Sequence, residues 1–144
     1  MLAVPPGPLG AEEGGGMSVL TCTVPIKPVG KARARVTSHG VYTPAETVAA
    51  EKVISDYWQQ KHHPRSRFAQ DIPLILEVDA YFTKPKSVKR EDHIVKPDAS
   101  NVLKLVEDAL NGVAYEDDSQ LVSVRCNKVY VEGSPWLYIV LSTT

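Results

Sequence analysis

The chain is short of cysteine and of the bulkiest aromatics, and neither sign of charge prevails in it. Among 144 residues there are two Cys, two Trp and two Phe, and 16 Lys and Arg face 17 Asp and Glu for a formal net charge of -1 at pH 7. Each scarcity excludes something. Cys22 and Cys126 are too few for a disulfide framework, which points to a reducing interior. The balanced charge rules out a globally basic nucleic-acid binder, although not a local basic patch. No apolar run approaches the roughly 18 residues of a membrane span, so no membrane partner is expected. Residues 1–16 (MLAVPPGPLGAEEGGG) contain no Lys or Arg and lack the charged and apolar regions of a secretory signal. Their composition predicts a disordered leader ahead of a single domain over residues 17–144. A cytoplasmic protein is the expectation.

The rest of the chain reads as α+β. Residues 19–24 are β-branched and alternate weakly, as a strand does, up to Pro25. Residues 27–39 read as a basic loop broken by Pro28 and Gly30. Thr43-Pro44 has the form of an N-cap and first helical proline, and opens a helix over 45–61 whose mixed face carries Val48, Val53 and Tyr57. A second basic loop over 62–68 follows. Residues 72–82 (IPLILEVDAYF) form the strongest strand, with Leu76, Val78, Ala80 and Phe82 on one face. Asp98 caps a second helix running to about Asn111 and closed by Gly112. Strands over 121–132 and 136–141 complete a β-α-β-α-β-β order, a small mixed sheet covered by two helices.

Chemistry concentrates in residues 96–121. Wound as a helix, Val102, Leu103, Val106, Ala109, Leu110 and Val113 share an arc of roughly 100°, the expected buried stripe. Asn101, Lys104 and Asp108 share the opposite arc. Asp98 stands at the start of that helix, and Asp117 and Asp118 stand just before the next strand. Were that strand to begin beside the helix start, Asp118 would approach Asp98. Carboxylates gathered together repel one another, and a hard divalent cation is the usual reason to gather them. Lys104 would then neutralise charge developing on a phosphate. Taken singly, Asp98 is also what an N-cap looks like, and Asp117-Asp118 what a turn looks like.

The segments KPDASNVLK (96–104), DALNG (108–112) and YEDDSQ (115–120), with PVGKARAR (28–35) and Tyr42 to Pro44 ahead of them, resemble the RusA family of Holliday junction resolvases, small bacterial and phage nucleases. The likeness runs in order over about residues 18–142. It implies a homodimeric α+β fold, a magnesium cofactor with manganese as a substitute, four-way branched DNA as substrate, and no small-molecule cofactor. It implies paired symmetric nicks in recombination and repair. Asp98 and Asp118 fall on the family's catalytic carboxylates and Lys104 on its catalytic lysine, with Asp98, Asp117 and Asp118 as metal ligands. The family's middle aspartate falls on Ser100, which brings no charge; Asn101 and Asp108, with Ser100 itself, are auxiliary candidates. That departure leaves an alternative, a junction-binding module that cuts weakly or not at all.

Three basic stretches flank the acidic one. Lys27, Lys31, Arg33 and Arg35 in the first, a second over 61–67, and Lys84, Lys86, Lys89 and Arg90 in the third are expected to hold phosphates by charge. Solvated loops are their ordinary alternative. Tyr42, Tyr57 and Tyr115 read as packing residues. His39, His62, His63 and His93 lack ligand spacing and are assigned to no metal. A dimer would match the two-fold symmetry of a junction, with Val129, Val131, Leu137 and Ile139 as its candidate apolar face.

Overall fold

The computed structural model describes residues 17–33, 35–42 and 44–144, with the backbone alone at residues 35 and 42. The leader over 1–16, the Thr43 cap and the side chains of Arg35 and Tyr42 lie outside the described residues. Among the described residues no helix is long and apolar enough to cross a membrane.

The strongest alternation in the sequence becomes the middle of the molecule. Strand β4 (Leu74–Thr83) buries Leu74, Leu76, Val78, Ala80 and Phe82 on one face, as a period of two requires of a sheet covered on that side. Strand β1 (Val19–Val24), β5 (Leu121–Val131) and β6 (Trp136–Thr143) join it in the order β1-β6-β4-β5. β6 runs antiparallel to both β1 and β4, whereas β5 runs parallel to β4. The sheet is therefore mixed, as expected. A parallel pair needs a crossover, and helix α2 (Ala99–Leu110) supplies it. Helix α1 (Ala45–Lys61) packs beside α2 over the same face.

Four sequence expectations are corrected here. The basic stretch over 27–39 is not all loop: β2 (Arg35–Thr37) and β3 (Gly40–Tyr42) pair as a hairpin. Gly40 takes φ +117, which only glycine adopts without strain, and Thr37 Oγ1 accepts from His39 N while donating to Gly40 O. In α2 the buried side chains are Val102, Leu105, Val106, Ala109 and Leu110. Leu105 joins the stripe because the spacing i, i+3, i+4, i+7, i+8 centres it there, while Leu103 packs against the core from its margin, partly buried. In α1 the buried set is Thr47, Ile54 and Trp58, and Val48 is 52% exposed. Finally, Leu137 and Ile139 are fully buried. β6 lies between β1 and β4, so these two face the helices and offer no surface for a partner.

The link between β5 and β6 crosses the end of β4. Lys84 N donates to Val131 O at 2.8 Å, and Thr83 Oγ1 donates to Gly133 O at 2.8 Å. The same end of β4 feeds the segment that carries Lys96 and Asp98, so the strap and the functional segment share one edge of the domain.

Candidate active site

Asp98 occupies the N-cap position of α2, but its side chain makes no capping hydrogen bond. Its carboxylate is held instead by Lys96, whose Nζ lies 2.9 Å from Oδ1 and 3.0 Å from Oδ2. Ser100 is exposed on the first turn of the helix. One face further along, Lys104 Nζ lies 3.3 Å from Asp108 Oδ1 and 3.7 Å from Asp118 Oδ2. Asp108 is shared, since its Oδ2 lies 3.2 Å from Lys31 Nζ, and Lys31 reaches Glu51 of α1 at the same distance.

The parallel crossover decides which end of α2 meets Asp118. The helix leaves the C-terminal end of β4 and returns to where β4 and β5 begin, at Leu74 and Leu121. Asp118, just ahead of Leu121, therefore comes to the side of the helix at Lys104 and Asp108. Asp98 lies a turn and a half earlier, about 9 Å along the axis. Asp118 thereby reaches Lys104, its Oδ2 3.7 Å from Nζ.

The electrostatics follow from that placement. Lys104 is surrounded by acid: its hydrogen bond and charge attraction to Asp108, with further attraction from Asp118 and Glu107, raise its pKa above the usual lysine value. It stays an ammonium. Burial raises the pKa of Glu107, and Asp118 and Asp108 push it the same way while Lys104 opposes them. For Lys31, burial works against the charge, but the hydrogen bonds to Glu51 and Asp108 outweigh it and the pKa is raised. Burial also pushes the thiols of Cys22 and Cys126 up to about 11. Neither is a thiolate at neutral pH.

The turn that carries Asp118 is fixed by a side chain to which the sequence reading gave no role. Gln120 is 6% exposed. Its Oε1 accepts from Glu116 N and Asp117 N, and its Nε2 donates to Ala69 O and Ile72 O. Asp117 completes a reciprocal cap by accepting from Ser119 N at 3.0 Å. Its carboxylate thus serves the turn, the hydrogen bond to Ser119 holding its pKa below the ordinary value. The signal was present: an acid followed three residues later by Gln is a capping-box spacing. Tyr115 is fully buried with its hydroxyl donating to Glu107 O at 2.7 Å, the packing role expected of it.

The basic residues divide. Arg33, Lys86, Lys89 and Arg90 are exposed, as phosphate contacts must be, and so is Lys27. Lys84 is half-buried. Lys31 is spent bridging the two helices, and Arg67 pairs with Glu116 at 3.2 Å while donating to Gly112 O. Lys31 lands there because its own N donates to Asn101 O at 2.9 Å, which lays the 27–33 segment across the start of α2. Gly30 makes that contact feasible: an added Cβ would lie 3.0 Å from Asn101 Cβ and 3.1 Å from Pro97 Cβ. Gly30→Ala is expected to destabilise the domain by about 1–3 kcal/mol through overpacking. Urea unfolding would read it, and an unchanged midpoint would show that the segment yields freely.

Among the described residues no group of three or more His, Cys, Asp or Glu side chains is gathered so that it could hold a metal ion. The available donors are nonetheless of the right chemistry for a hard cation. Magnesium is bound by one or two carboxylates and keeps several waters, and Asp98 and Asp118 offer such oxygens at partly exposed positions.

The family of endodeoxyribonuclease RusA matches the chain over residues 25–142. The chain belongs to the RusA endodeoxyribonuclease family. An uncharacterised protein of Bacillus subtilis (strain 168), YqaN, is 30% identical over 131 residues, which cover 81% of this chain and 91% of that one.

Proposed function

We propose that the protein is a magnesium-dependent endodeoxyribonuclease that resolves four-way DNA junctions by paired symmetric nicks, acting as a homodimer. The observation that carries this reading is Lys104 poised between Asp108 and Asp118, inside the segment that most resembles the family. Asp98 and Asp118 are the residues that would hold the cation. When bound, it would activate water and offset charge on the phosphate. Lys104, an ammonium throughout the physiological range, stabilises the negative charge that grows on the phosphate oxygens. Asp108 holds Lys104 from the far side, so the ammonium has a fixed place. Lys27, Arg33, Lys86, Lys89 and Arg90 hold the flanking phosphates.

Such binding is mostly electrostatic. With about five phosphate contacts, affinity for a junction is expected to fall roughly 500-fold between about 50 and 200 mM salt. Fluorescence anisotropy with a labelled junction measures this, and a flat dependence would remove the basic residues from the argument. The reading as a whole is tested by incubating the protein with a four-way junction labelled on each strand, with and without magnesium, beside a duplex. Paired metal-dependent nicks are expected.

A second reading is a junction-binding module with slow or no cleavage. Ser100 favours it, because an exposed hydroxyl stands where the family carries a charge. Ser100→Asp separates the two: a rise in cleavage rate of about tenfold or more marks a site short of one carboxylate. An unchanged rate in a protein that already cuts shows that the site works without it.

A further inference from the structure

A cavity of about 680 Å³ opens between the 27–32 segment, the first turn of α1 and the C-terminal ends of β4 and β5. Its floor is aromatic. His93 stacks on Phe82 with 3.9 Å between ring centroids and 23° between planes, and meets Tyr130 edge-on at 5.0 Å. His93 is 7% exposed, and its Nδ1 has no hydrogen-bond partner among the described residues. Burial, reinforced by Lys128 and Arg90, lowers its pKa. A neutral imidazole offers one donor and one acceptor nitrogen. Nδ1 is shut off from the cavity as it is from solvent, so what His93 offers a ligand is the aromatic floor it forms with Phe82 and Tyr130.

The rim carries Lys27 and Lys96. Lys96 also holds Asp98, so the mouth of the cavity adjoins the candidate active site. The wall between them is stiff: Lys128 Nζ donates to Val95 O at 2.9 Å and to Pro97 O at 3.0 Å, and Gly30 closes on Pro97 from the other side. A ligand for this space is flat and aromatic and is attached to an anion. Those are the properties of a nucleobase on its phosphate backbone.

We infer that the cavity receives one unstacked nucleobase of the branched DNA, packed against the aromatic floor with its phosphate at Lys27 and Lys96. This rests on the nuclease reading above and adds to it. The base so held fixes which phosphodiester lies at Asp98. Bases beside a branch point are the cheapest to unstack, because part of their stacking is already lost.

Val95 is 50% exposed and lines the cavity, so Val95→Trp fills the space without emptying the core. Base–aromatic stacking has a strength that corresponds to about tenfold or more in affinity. Val95→Trp is therefore expected to weaken binding and cleavage of a four-way junction by about tenfold, with duplex affinity changed by less than about twofold. A scan of abasic nucleotides around the branch, which needs no variant, is expected to find one position that reproduces the loss. That position should add nothing further in Val95→Trp.

Three results would overturn the inference alone: a junction-selective protein indifferent to Val95→Trp, a scan with no sensitive position, or losses that multiply when combined. A parent protein that does not prefer a junction to a duplex would overturn the nuclease reading and this inference with it.

Discussion

Asp118→Asn is expected to lower single-turnover cleavage of a four-way junction by about 10²-fold or more, on the scale seen when a group that stabilises the transition state is removed. The substitution keeps the shape of the side chain and removes its charge. It takes from the site a carboxylate that would hold the cation, and it leaves Lys104 with Asp108 as its one remaining ion-pair partner among the described residues. Junction affinity is expected to be kept or to rise, because one negative charge facing the phosphates is gone. Asp98→Asn is expected to behave alike, for its carboxylate makes no capping bond whose loss would disturb α2. Labelled-strand assays at saturating protein separate the rate from the binding. Full activity in either variant would withdraw that residue from the site.

The second large effect is on stability. Gln120→Leu removes one buried amide that satisfies two backbone N–H groups and two backbone carbonyls. Leaving several buried polar groups unpaired is expected to cost about 3 kcal/mol after partial relaxation. For a domain of this size that is a fall in Tm of about 10 °C. Cleavage should fall as well, because the same amide shapes the turn in front of Asp118. Thermal unfolding and a cleavage assay well below the new Tm tell the two losses apart. A Tm within about 2 °C of the parent would mean that water takes over the four hydrogen bonds.

The parts of the fold legible in the sequence were those with a strict period. β4 alternates over its whole length, and its burial follows that alternation residue by residue. The ends of α1 and α2 fall close to the expected ones, because Pro44 and Gly112 mark them. In β6 the signal is the unbroken apolar run over 136–141, the mark of a strand covered on both faces, and it places Leu137 and Ile139 in the core and not on a surface. What was lost belongs to pairing. The three-residue strands of the hairpin are too short to show a period. The same limit governed the site: Asp98, Lys104 and Asp118 stand out by type and spacing, but only the direction of the crossover says that Asp118 meets the lysine. Lys31 and Lys86 are alike in sequence, and only the packing of the 27–33 segment turns one inward to Glu51 and Asp108.

The strand order also sets when during synthesis the nuclease can exist. β1 pairs with β6 alone, and β4 has β5 and β6 as its neighbours. Every ladder of the main sheet therefore closes through a strand that leaves the ribosome late. Contacts this remote in sequence form slowly and only once most of the chain is available. A chain that stops between Asp118 and Leu121 has the aspartates and the lysine but none of the three ladders of the main sheet.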